Sequence, residues 1–260
     1  MADALEQPRY GPAFFKGIVW HTGFLVSGLA LDIIELAGMP DDGSRVHSVT
    51  NVFQVILLVA QCGIVAVQLI DFSQKGGVFS QEGAVMALNI GAMTCFVALN
   101  ILRLASINVT TEAATFLTCV AAVLQMVYTR LEQVERRNEL YWQAVLAHSA
   151  RQPDEPTAAR LRWLSSGYDT TVLVGTFFIV ASRLVAESGG PKSHRVGLDV
   201  LLGLTILIFL CVSATLWVLV KYIVADVSLS LHAQDVEQSL EPANTLLIPV
   251  INLQLKPSSR

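Results

Sequence analysis

Charged side chains are scarce in this chain. Asp, Glu, Lys and Arg supply only 15% of its 260 residues, 53% are hydrophobic, and the mean hydropathy is +0.55. A typical soluble domain is about one-quarter charged, so the composition excludes an ordinary soluble protein and points to lipid. The small net charge of -4 and the lack of any long basic run exclude a nucleic-acid partner.

Other absences narrow the chemistry. All four cysteines, Cys62, Cys95, Cys119 and Cys211, lie inside apolar stretches, where they act as small hydrophobes and not as a disulfide framework or zinc set. Residues 1–15 lack the basic start and cleavage site of a secretory signal, so the first apolar stretch is expected to direct insertion and remain. Neither end carries a lipidation or retrieval motif. No HExxH, GxSxG, Walker loop or potassium-filter sequence is present, and the two halves do not read as a repeat. Among the histidines, His21 alone falls in an apolar stretch, and a bis-histidine haem would need facing pairs there. No cofactor and no metal is therefore expected.

What is present is a series of six apolar stretches: 17–37, 52–72, 83–104, 113–131, 170–186 and 198–224. Each approaches the roughly 20 residues that cross about 30 Å of hydrocarbon. None contains proline, and the breaks between them hold turn formers such as MPDDGSR, SQKGG, SINVTT and ESGGPKSHR. The predicted fold is an all-α membrane protein, a six-span transmembrane bundle. Its predicted parts are an N-tail (1–16), spans one to four (17–131), a cytosolic helical hairpin (132–168), spans five and six (169–225) and a loosely ordered C-tail (226–260). Of the seventeen Lys and Arg, twelve fall on the side that holds both termini and the fourth loop, which predicts both termini in the cytoplasm. The sequon at Asn108 then lies outside, too near the bilayer for use.

The fourth loop is the one sizeable polar segment. From Thr129 to Arg151 it has no Gly or Pro, which predicts that span four continues as a helix. Leu131, Val134, Asn138, Tyr141 and Val145 form a short seam, and Glu132 and Arg136 a pair one turn apart. Pro153 and Pro156 are expected to break the helix and Thr157 to cap a return helix. The resulting hairpin, 131–166, either packs on itself or offers a surface to a protein partner or a second copy. The late run TLLIPVINLQL is too short to span and reads as a surface-lying tail.

Polar groups inside the spans are the functional candidates. Asp32, Glu35, Arg103, Arg183 and Asp199 share one depth near the outer ends of four spans. They either pair or snorkel structurally, which is the leading expectation, or line an outward-facing pocket. Gln54, Gln61 and Gln68 repeat every seven residues on span two, and Asn89 and Asn100 form a stripe on span three. If the two helices are antiparallel neighbours, Gln68 comes level with Asn89, and Gln54 with Asn100. The stripes either glue two helices or face a wet path. Gly63, Gly91 and Gly175 suit close helix packing.

Three classes of function stay open, in this order: a membrane binding, sensing or scaffold protein; a channel or carrier along the amide stripes; and an enzyme using Asp32 and Glu35 on an apolar substrate.

Overall fold

The computed structural model describes the backbone of residues 10–38, 44–74, 80–105, 110–150 and 155–252, with side chains described for 16–37, 49–74, 80, 82–105, 110–133, 156 and 159–222. Among the described residues the chain forms α1 (Tyr10–Gly38), α2 (Ser44–Gln74), α3 (Gln81–Leu104), α4 (Thr111–Ala150), α5 (Glu155–Glu187) and α6 (Lys192–Asn252). Each contains a segment long and apolar enough to cross a membrane: Lys16–Ala37, Val49–Gln74, Glu82–Leu104, Thr111–Gln133, Ala159–Glu187 and Lys192–Tyr222. The six expected stretches lie within these segments apart from the last two residues of the sixth, and the fifth begins eleven residues early because ARLRWLSSGYD stays helical.

Local chemistry sets the helix ends. Ser80 caps α3, its Oγ accepting from the Gly83 amide at 2.9 Å, and Thr110 caps α4, its Oγ1 accepting from the Ala113 amide at 3.2 Å. At the end of α5, Gly189 adopts φ +66, Gly189 N donates to Ala186 O, and Gly190 N donates to Val185 O at 3.1 Å. This is the paired 5→2 and 6→1 closure of a helix C-terminus, which needs a left-handed residue that glycine supplies without strain. Pro191 follows, and α6 starts at once.

Two breakpoints differ from expectation. Pro156 lies in the first turn of α5, where its missing N–H costs nothing, so the return helix starts before Thr157. Helix α6 runs on to Asn252 through the segment expected to be a loosely ordered tail; residues 225–241 contain no glycine or proline to stop it. Asn108 of the sequon, Pro153, Arg136 and the seam beyond Leu131 lie outside the described side chains or backbone.

Helix α1 is the centre of the bundle. It packs on α2, α3, α5 and α6, and 56% of its span is buried against 17% for α2. Its Phe24, Leu25 and Leu31 form the core with Met93, Phe96 and Leu99 of α3, Ile179 of α5 and Leu202 of α6. Two glycines let α1 and α5 approach: a Cβ on Gly28 would lie 2.5 Å from Ile179 Cδ1, and one on Gly175 2.8 Å from Leu25 Cδ2. Gly63, by contrast, has nothing within 4 Å and serves no such contact. The outward faces of α2 and α6 are lined by exposed residues such as Val52, Phe53, Val59, Leu204 and Leu207, as a lipid-facing surface requires.

Candidate functional site

The bundle has two ends. The loop end carries the connections α1–α2, α3–α4 and α5–α6. The extension end carries the start of α1, the α2–α3 connection, and the continuations of α4, α5 and α6 beyond their spans.

At the loop end, α1 presents Asp32 and Glu35 one turn apart. Arg183 of α5 brings Nη2 to 2.7 Å from Asp32 Oδ1, an ion pair, and its Nη1 contacts Glu35 Oε2. Arg103 of α3 reaches the same Glu35 oxygen at 2.7 Å, and its Nη1 lies 3.4 Å from Leu31 O. Asp199 of α6 accepts from Ser182 Oγ at 3.1 Å. All five residues foreseen from depth alone are thus gathered at one end of the bundle. Their chemistry is pairing and not snorkelling: the side chains of Asp32 and Arg183 are 0% and 3% exposed, while Glu35 and Arg103 form the rim at 22% and 14%.

A sixth residue was missed. Arg195 was read as a loop residue in ESGGPKSHR, but the tight turn 188–191 makes it part of the first turn of α6. Its side chain is 3% exposed, with Nη2 at 2.8 Å from Glu35 Oε2 and 3.7 Å from Asp32 Oδ1. The signals were present: Pro191 marks a helix start, and Arg195 stands four residues before Asp199. Three guanidinium groups from three helices therefore converge on one carboxylate. Not every polar atom there is used. Arg183 Nε, Arg195 Nε and Nη1, both carboxylate oxygens of Asp32 and Asp199 Oδ2 are buried without a hydrogen-bond partner among the described residues.

The extension end holds a second cluster, around the fully buried His21. Its Nδ1 is 2.6 Å from the Tyr168 hydroxyl of α5. Its Nε2 is 3.2 Å from Glu132 Oε2 and 3.4 Å from Thr129 Oγ1, both of α4. Thr129 already donates to Gln125 O at 2.8 Å, so it can only accept from the ring, and the negative carboxylate nearby favours a proton on the same nitrogen. In the neutral imidazole Nε2 therefore carries the proton and Nδ1 accepts from Tyr168. Tyr128, Tyr168 and Phe209 enclose the ring, with centroids at 5.4, 5.4 and 6.2 Å. Glu132 thus reaches α1, while Arg136, its expected partner along α4, lies outside the described side chains. Nearby, Lys16 holds Asp71 of α2 at 2.6 Å.

The amide stripes meet at one point. Asn100 Nδ2 lies 3.3 Å from Gln61 Oε1 and 3.2 Å from the backbone oxygen of Gln54. Gln68 and Asn89 are both fully buried, yet neither side chain has a hydrogen-bond partner among the described residues, and the same holds for Gln125. Among the described residues no group of His, Cys, Asp and Glu is arranged to hold a metal ion. Comparison of the chain with family models, with curated proteins and with solved structures finds no match.

Proposed function

We propose that this multi-pass membrane protein binds or senses a ligand and relays or scaffolds, in preference to conducting a solute or performing chemistry. In this reading the loop end faces outside, both termini are cytoplasmic, and the hairpin 131–166 stands in the cytoplasm as a surface for a protein partner or a second copy. One observation carries it: on α1 the two polar clusters are separated by the apolar layer Phe24, Leu25, Met93, Phe96 and Ile179. A polar path between the clusters would have to cross that layer, and none of the six spans is broken near its middle as carrier helices usually are. Asp32 and Glu35 are both committed to guanidinium contacts, which weighs against the enzyme reading.

The carrier reading keeps one supporting observation, the buried amides of Gln68 on α2 and Asn89 on α3, which have no hydrogen-bond partner among the described residues. Cysteine accessibility separates the two. In a variant lacking the four native cysteines, a membrane-impermeant thiol reagent is expected to label position 103 from outside and position 144 from the cytoplasm, and to leave position 61 unlabelled. Labelling at Gln61→Cys from either side would put a conducting path first.

A further inference from the structure

We propose that the loop-end cluster is a phosphate-binding site in which Glu35 occupies the ligand's place. This rests on the binding reading above and names its ligand class.

Geometry is the first argument. Arg103, Arg183 and Arg195 approach a single oxygen, Glu35 Oε2, from three different helices. A planar carboxylate presents two acceptor edges, whereas three guanidinium groups arriving from separate directions match the several oxygens of a tetrahedral anion. The N–H groups left over, Nε of Arg183 and Nε and Nη1 of Arg195, are buried and have no partner among the described residues. Buried donors without acceptors are costly, and a ligand oxygen would relieve that cost.

Charge is the second argument. The cluster contains three arginines and three carboxylates, Asp32, Glu35 and Asp199. Were Glu35 to swing away and a phosphate group in its singly charged form to enter, the balance of buried charge would be unchanged. A neutral or cationic group would leave the guanidinium groups uncompensated. Exposure permits the exchange: among the ion-paired side chains of the cluster Glu35 is the most accessible, at 22%, and stands two residues from the end of its span, whereas Asp32 at 0% stays to hold Arg183. Depth is the third. The cluster lies at the ends of four apolar spans, which in a bilayer of about 30 Å hydrocarbon thickness is the depth at which headgroup phosphates would begin.

The test uses the full chain in a non-ionic detergent, with thermal unfolding as readout. Its probes are diacylglycerol, phosphatidic acid with the same acyl chains, and inorganic phosphate. Phosphatidic acid is expected to raise the midpoint where diacylglycerol does not. A matching rise with inorganic phosphate would assign the site to a free solute, and its absence to a lipid headgroup. The discriminating variant is Glu35→Gln, which removes the internal competitor: phosphatidic acid or phosphate should bind it several-fold more tightly than the parent chain. Arg195→Gln should lose the response. Equal responses to phosphatidic acid and diacylglycerol without any response to phosphate would overturn the proposal, as would weaker binding by Glu35→Gln. Should that variant not fold, Glu35→Asp, which withdraws the carboxylate by one methylene, carries the same expectation of tighter binding. Labelling of Gln61→Cys would sink the binding reading while leaving this result standing, so the two fail separately.

Discussion

Both polar clusters hang on α1, with Asp32 and His21 about 16 Å apart along the helix at 1.5 Å per residue, yet they are built on opposite plans. At the extension end one imidazole meets a partner at each nitrogen, with three aromatic rings closing around it. At the loop end six charged residues from four helices meet with buried N–H and carboxylate atoms to spare, and two of the six lie partly exposed at the rim. A polar group in an apolar bundle is tolerated when its hydrogen bonds are completed. The imidazole is met at both nitrogens within its own fold, whereas the loop-end guanidinium groups keep N–H capacity for a ligand.

The comparison can be broken most directly at Arg183. Replacing it with Leu strands Asp32 in the core, and removing one partner of a buried pair costs about 3–5 kcal/mol. Unfolding in detergent should show that loss, and Asp32→Leu added to Arg183→Leu should recover part of it. No recovery would mean that Arg183 matters for reasons other than its pair. At the other end the expected effect is smaller: Tyr168→Phe leaves His21 Nδ1 without its donor, a cost of about 1–3 kcal/mol. A Tyr168→Phe loss as large as that of Arg183→Leu would erase the distinction between the clusters. The smallest effects belong to the amide stripe. Gln61→Leu takes a partner from Asn100 and should cost about 0.6 kcal/mol, the average for such bonds between membrane helices, while Gln68→Leu removes an unpaired amide and should be neutral or stabilising. A destabilising Gln68→Leu would show that this glutamine has a partner of its own.

Particular residues show how far the amino-acid sequence could be read. Asp32, Glu35, Arg103 and Arg183 were recognisable by depth, because a fixed rise per residue converts position in a span directly into height. Arg195 was hidden by a turn so short that a residue flanked by Gly, Pro and Lys becomes helical and buried. His21 looked solitary because its partners Thr129 and Tyr168 are 108 and 147 positions away, and nothing local announces them. Gln68 and Asn89, which spacing alone sets near one level, have no hydrogen-bond partner among the described residues, and side-chain partners are something that spacing does not contain.

The sequence by itself determined the six spans, their unbroken course and the heights of their polar groups, since apolar length, missing proline and a constant rise are properties of one strand of chain. Which groups meet was decided by the tertiary structure alone. Azimuthal neighbours depend on the order of helices around α1, and that order follows from packing such as Gly28 against Ile179 and Gly175 against Leu25, contacts between residues that no local pattern connects.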